Sequence, residues 1–190
     1  MTETNNTAPK RGVPIWIQGI VWALLVGLLV IVGIGLRRAQ QGTVQPGEQI
    51  PDFTLTLYSG YEYQGRNEVS LADLRGKIVV INFWASWCKP CEQEAAELEQ
   101  AWEFYEPTGQ VVFLGADYVD TEPEARAYLK KFGITYANGP DLGTRVSQLF
   151  RIKGVPETYF IDQNGVLQYV KVGPFSSLDE IKASVDGLIQ

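Results

Sequence analysis

The apolar positions of this chain fall into segments with different periods. From Ile15 to Leu36 no residue in a stretch of 22 is charged, Gln18 is the most polar side chain, and no polar face interrupts the run. At 1.5 Å per residue such a helix reaches about 33 Å, enough to cross the roughly 30 Å hydrocarbon layer of a bilayer. Trp16 and Trp22 lie towards its N-terminal end, where indoles favour the membrane interface. The run exceeds the usual apolar core of a signal peptide, and no A-x-A cleavage pattern follows it. An uncleaved transmembrane anchor over 15–36 is therefore expected, with a short N-terminal tail over 1–14 and a polar tether over 37–47. Lys10 and Arg11 on one side balance Arg37 and Arg38 on the other, so charge does not set the topology.

From residue 48 the periods become those of a folded domain. Phe53-Thr54-Leu55-Thr56-Leu57 alternates as a half-buried strand, and Ser59-Gly60 marks a turn before Tyr61-Glu62-Tyr63, which predicts a hairpin. Ile78 to Trp84 is a short β-branched and aromatic run of the kind that fills a buried strand. From Pro90 the period changes to a helical one, with Ala95, Leu98, Ala101, Trp102 and Tyr105 at offsets of three and four and no glycine or proline before Pro107. Val111 to Ala116 predicts a second buried strand. Thr121 and Glu124 have capping-box spacing ahead of a helix running to about Phe132, and Asp141 to Phe150 reads as a short helical piece. Tyr159 to Ile161, the turn Asp162 to Gly165, and Val166 to Val172 predict a hairpin; Ser177 and Glu180 cap a last helix ending near Ile189. The order is β-α-β-α-β-β-α behind an added hairpin, an α/β domain over 48–190.

Composition narrows the chemistry. The formal charge of −6, with no cationic cluster, argues against a nucleic-acid partner. There is no histidine, which removes His-ligated haem and the usual Cys/His copper sites. The two cysteines, Cys88 and Cys91, are the whole sulfur chemistry of the protein. A structural zinc site needs four ligands that this chain does not supply, and no metal or other cofactor is expected. A two-residue loop removes little denatured-state entropy, so stabilisation is a poor reason for a Cys88-Cys91 bridge.

Cys88 follows the strand and opens the helix, where unpaired N–H groups and the helix dipole favour an anion. The thiolate is the nucleophile of disulfide exchange, so this end is expected to be exposed and reactive, with Lys89 adding a cation and Pro90 suiting the first turn. Cys91, three residues on, has the place of a resolving thiol.

The stretch from Gly76 to Glu94, centred on Trp84-Ala85-Ser86-Trp87-Cys88-Lys89-Pro90-Cys91-Glu92-Gln93-Glu94, resembles the thioredoxin-like proteins of the TlpA, ResA and CcmG (DsbE) group, and the likeness runs from about Pro46 to the C-terminus. The resemblance implies a thioredoxin-like fold, a central mixed sheet flanked by helices with an added N-terminal β-hairpin, carrying a redox disulfide Cys88-Cys91 on the extracytoplasmic side of the plasma membrane. It implies that Pro156 is cis and that Val155, ahead of it, meets a bound client chain; Glu157 would place an acid near the site, with a solvated strand-end residue as the alternative. Trp87 is a candidate contact surface. Asn82 stands where classical thioredoxins carry a proton-handling Asp, and an amide does not titrate. Glu94, three residues after Cys91, is the candidate replacement, against the reading of a helix-surface Glu. The group often continues Glu-x-Pro; here the position is Ala96, so no proline kink is expected.

Implied partners are an apocytochrome c or haem-ligation factor as client, a membrane thiol electron donor of the CcdA/DsbD type, and the bilayer through residues 15–36. The reading is a reductase in cytochrome c maturation; the alternatives are a general extracytoplasmic reductase or oxidase, and a non-catalytic redox-sensing adaptor of an assembly complex. No peroxidatic Thr-x-x-Cys context is present.

Overall fold

A computed structural model describes residues 14–39 and 44–189. The chain divides into two units. The first contains one helix, α1 (Ile15–Ala39), whose stretch Ile15–Leu36 is long and apolar enough to cross a membrane and buries nothing within its own unit. A helix apolar on every side is suited to a lipid surround rather than to water.

The second unit is built on a five-stranded sheet in the order β5-β4-β3-β6-β7, where β3 is Ile78–Trp84, β4 Val111–Asp117, β5 Ala137–Pro140, β6 Glu157–Ile161 and β7 Leu167–Val172. β3, β4 and β5 are parallel, β6 runs antiparallel to β3, and β7, antiparallel to β6, runs in the direction of β3 again. Every residue of β3 is buried. Ile78, Val80 and Trp84 join an apolar cluster with α2 (Lys89–Tyr105), α3 (Glu122–Phe132) and α5 (Leu178–Asp186); Val79, Ile81 and Phe83 join one with α4 (Arg145–Phe150) and the N-terminal segment. The unbroken hydrophobicity of 78–84 is thus that of a central strand covered on both faces. This is the expected thioredoxin-like architecture.

Several elements differ from the sequence reading. β1 (Thr54–Thr56) pairs antiparallel with β2 (Glu68–Ser70), not with Tyr61 to Tyr63. A second tight turn at Gln64 and Gly65, both at positive φ and closed by the Tyr63–Arg66 bridge, delays the return strand. β5 was not predicted: Ala-Asn-Gly-Pro has no strand propensity, and an edge strand tolerates its proline. Backbone proximity makes it, since a Cβ at Gly139 would lie 1.8 Å from the Thr56 carbonyl oxygen. Thr121 precedes α3 but its hydroxyl donates to the Glu124 carboxylate instead of capping an N–H group. Ser177 does cap α5, accepting from the Glu180 N–H at 3.3 Å, and that helix stops at Asp186, short of Ile189. Of the segment expected as a tether, Val44 to Gly47 are described and docked: Val44 is buried, and the Gly47 N–H donates to the Leu167 carbonyl at 2.7 Å.

Candidate active site

Cys88 and Cys91 form a disulfide with Cα atoms 5.3 Å apart. β3 delivers the chain to this point, and the Cys88 N–H donates to the Ala85 carbonyl in a tight turn before α2 begins. Cys88 is itself the N-cap residue: its backbone is extended, and its Sγ accepts from the Cys91 N–H at 3.1 Å. The sulfur therefore takes the place of the oxygen with which Ser or Asp usually satisfies the first free N–H groups of a helix. In the reduced protein the same N–H and the helix dipole favour negative charge on that atom.

Two expectations need correction here. Cys88 is only 3% exposed, not open, because it and Cys91 are packed into the apolar cluster with Trp84, Ala85, Phe160 and Phe175. Lys89 is not a free cation beside the sulfur; its ammonium pairs with Glu92 at 3.0 Å, and Glu92 is also held by Lys131 at 3.3 Å. What is exposed is Trp87, at 57%.

Against the start of α2 lies the loop before β6, with the Val155–Pro156 peptide in the cis form. Pro90, Lys153, Val155, Pro156, Val172 and Pro174 line a shallow groove of about 310 Å³, with Pro90 from the C-x-x-C turn on one wall. Its wall is largely apolar, the composition that accepts another chain's side chains. Glu157 is part of the wall of this groove, but not as a free acid. It is 1% exposed, accepts from the Lys153 N–H at 2.8 Å and from the Tyr159 hydroxyl at 2.5 Å, and so ties the loop to β6.

On the helix side, the even positions of β3 point at α2, and Asn82 is among them. Its amide donates to the Glu94 carboxylate and to the Thr158 hydroxyl, each at 2.9 Å. The other Glu94 oxygen accepts from the Phe175 N–H at 2.9 Å. Glu94 is 1% exposed, so it is no surface residue; burial pushes its carboxyl up to about 7, against the opposing pull of the Phe175 N–H, the Asn82 amide and Lys171. A carboxyl poised near neutrality one helical turn beyond Cys91 can take or return a proton where water has little access. α2 runs unbroken through Ala96.

Sequence reasoning missed the third side of the site. The loop after β4 brackets the cysteine loop: the Asp120 carboxylate accepts from the Ser86 N–H at 2.6 Å, and the Val119 carbonyl accepts from the Trp87 indole at 3.0 Å. Asp117, the last residue of β4, is buried beside Trp84. Only its position at the end of an apolar run, beyond a parallel neighbour, would have signalled it. Among the described residues no group of three or more His, Cys, Asp and Glu is arranged to hold a metal ion.

Known proteins are similar to this chain. Residues 46–170 match the model of the AhpC/TSA family. The thioredoxin-like protein YneN of Bacillus subtilis is 32% identical over 178 residues, covering 90% of this chain and 98% of that protein. The thiol-disulfide oxidoreductase ResA of Geobacillus kaustophilus is 29% identical over 160 residues, covering 83% of this chain and 88% of that one. The solved structure of a thiol:disulfide interchange protein of the thioredoxin family from Chlorobium tepidum superposes with a TM-score of 0.63 at 26% identity, over 77% of this chain and 99% of that chain.

Proposed function

The chain belongs to the AhpC/TSA family and, within it, to the thioredoxin-like thiol-disulfide oxidoreductases of the TlpA, ResA and CcmG group, and from that premise we propose that it is a membrane-tethered, extracytoplasmic reductase acting in cytochrome c maturation. The observation that carries the redox role is the Cys88 sulfur capping α2 beside the cis-Pro156 groove. The group resemblance supports the maturation role, and the apolar helix 15–36 supports the tether.

In this reading a membrane dithiol donor of the CcdA/DsbD type reduces Cys88-Cys91, delivering two electrons. The Cys88 thiolate attacks a client disulfide, forming a mixed disulfide and expelling one client sulfur as thiolate, which takes up a proton. Cys91 loses its proton, with Glu94 the nearby buried base, and its thiolate attacks the Cys88 sulfur. The protein disulfide reforms and the second client thiol leaves, so the client has gained two electrons and two protons. Closure is fast because the attacking thiol is held in place. Val155 and Pro156 hold the client backbone along the groove, and exposed Trp87 is a further contact surface. The client is an apocytochrome c with oxidised haem-binding cysteines, or a haem-ligation factor.

Cys91→Ser should therefore accumulate covalent client adducts that reductant removes, and Cys88→Ser should give few. Adducts rich in an apocytochrome c or a haem-ligation factor support the proposal. Equal trapping by both variants contradicts the role assignment, and a broad mixture of unrelated secreted proteins points to a general reductase.

A further inference from the structure

Asp117 is a buried carboxyl for which the exchange chemistry above has no use. Its Oδ2 accepts from the Tyr58 hydroxyl at 2.7 Å. Its Oδ1 is buried and meets no donor, and the other side chain within hydrogen-bond reach is a second acceptor, Asp120. A buried acceptor that faces a second acceptor is a costly arrangement unless a proton lies between them.

The groups around this carboxyl come from every neighbouring element. Tyr58 comes from the segment after β1, Asp120 from the loop after β4, and Asp141 from the end of β5, its N–H donating to the Asp117 carbonyl at 2.8 Å. Trp84 stands opposite on β3. Asp141 spends its carboxylate on the N–H groups of Val146 and Ser147. From α3, Arg126 lies over the Tyr58 ring at 5.1 Å and pairs with Glu122 at 2.7 Å, so its charge is engaged there.

Asp120 connects this pair to the redox loop. One of its oxygens accepts from the Ser86 N–H at 2.6 Å and the other from the Thr121 N–H at 2.8 Å, and Ser86 stands two residues before Cys88. Between the two acids Val119 has φ of 49°, a left-handed conformation that a β-branched side chain rarely adopts, while its carbonyl holds the Trp87 indole. Such a loop persists when its surroundings fix it. We propose that Asp117 is a positioning residue for Cys88: its neutral carboxyl donates from Oδ1 to Asp120, and the pair, sharing one proton, braces the Ser86-Trp87 turn that presents the attacking sulfur. Burial pushes Asp117 up to about 7, with Asp120 and Asp141 acting in the same direction and the Tyr58 hydroxyl opposing. Below that pH the brace is closed. Above it two carboxylates face each other, Asp120 withdraws and the Ser86 N–H loses its acceptor.

The proposal adds to the exchange reading but is tested without a client. In the oxidised full chain in detergent micelles the cysteines do not titrate, so nuclear magnetic resonance can follow the Asp117 carboxyl carbon, the Ser86 amide and the Trp87 indole against pH. All three should share one inflection near pH 7, the value to which burial moves Asp117. Asp117→Asn, whose amide donates where the proton did, should keep the low-pH positions of the Ser86 and Trp87 signals throughout. Asp117→Ala should displace them at every pH, and Glu94→Gln should leave the inflection in place. A carboxyl carbon that titrates in the ordinary Asp range, measured in the unaltered protein, would overturn the proposal, as would a Ser86 inflection that survives Asp117→Asn. Neither result bears on client trapping, so the two readings fail separately.

Discussion

Replacing Glu94 with Gln removes one titratable group from the core while keeping its size, and the structure says how much pH dependence should go with it. The carboxyl stands at about 7 in the folded protein against 4.5 for an unburied glutamate. At roughly 1.4 kcal/mol per pH unit the interval corresponds to about 3 kcal/mol. The sign follows from the direction. A folded-state value raised above the unfolded one means that the folded protein binds the proton more tightly. This contribution to stability is fully present below about pH 4.5, declines as pH rises, and is lost above about pH 7.

The variant need not lose hydrogen bonds. Its amide oxygen can accept from the Phe175 N–H while Asn82 rotates to accept from the new NH2 group and from the Thr158 hydroxyl, the three partners already present. Urea unfolding of the oxidised protein, followed by tryptophan fluorescence at pH 4.5 and pH 8, should then give nearly equal stabilities at the lower pH. At the higher one Glu94→Gln should be more stable by about 3 kcal/mol. Asp117 titrates in both proteins and cancels in the difference. Parallel changes in the two proteins between these pH values would refute the assignment of a buried, neutral-range carboxyl to Glu94.

The same substitution should flatten the pH profile of disulfide exchange between about pH 6 and 8, because the buried base beside Cys91 is gone; an unchanged profile in a folded variant removes Glu94 from proton transfer. Protease added to intact spheroplasts should digest the domain beyond Arg38, whereas full protection would put it in the cytoplasm. Tyr159→Phe keeps the ring against Phe83 and Phe150 but takes the donor from buried Glu157, and should lower stability by about 1–3 kcal/mol in urea unfolding. No measurable loss would mean that Glu157 finds water or another donor.

Long segments with one strong period were legible. β3, α2 and β4 lie where their apolar runs put them because central strands and an amphipathic helix are specified by many side chains at once. β5 carried no such signal: Gly139 is there because the Thr56 carbonyl passes too close for a side chain, a long-range fact. The partner of β1 was misread for the reverse reason, a good local turn at Ser59-Gly60 followed by an unnoticed second one. Burial of acids was the least legible feature. Glu94 stands among Glu92, Glu97, Glu99 and Glu103 on one helix, and nothing in residue type separates Glu94, under Phe175, and Glu99, also buried, from the others, which reach water. One clue was available in the parity of β3. Asn82 shares a face with Ile78, Val80 and Trp84, so it had to point at the helix beginning at Lys89, where an amide needs a partner.

The surroundings of the disulfide are a product of strand direction. β3 and β4 run parallel and end together, with Trp84 opposite Asp117, while β6 runs the other way and begins there, with Glu157 opposite Phe83. β4 and β6 place acids at or just beyond this end of the sheet, Asp117 and Asp120 from β4 and Glu157 from β6, and α2 adds Glu94 one turn in. These carboxyls have different chemical positions. Glu157 is held by two donors and fixes the cis-Pro156 loop; Asp120 fixes the cysteine loop; Glu94 and Asp117 are pushed by burial into the range where a proton moves at physiological pH. A C-x-x-C pair on a helix N-terminus supplies a nucleophile wherever it occurs. The placement of fixed and titratable acids around it follows from the register of three strands whose sequences are separated by helices, and acids perturbed in this way cluster at functional sites.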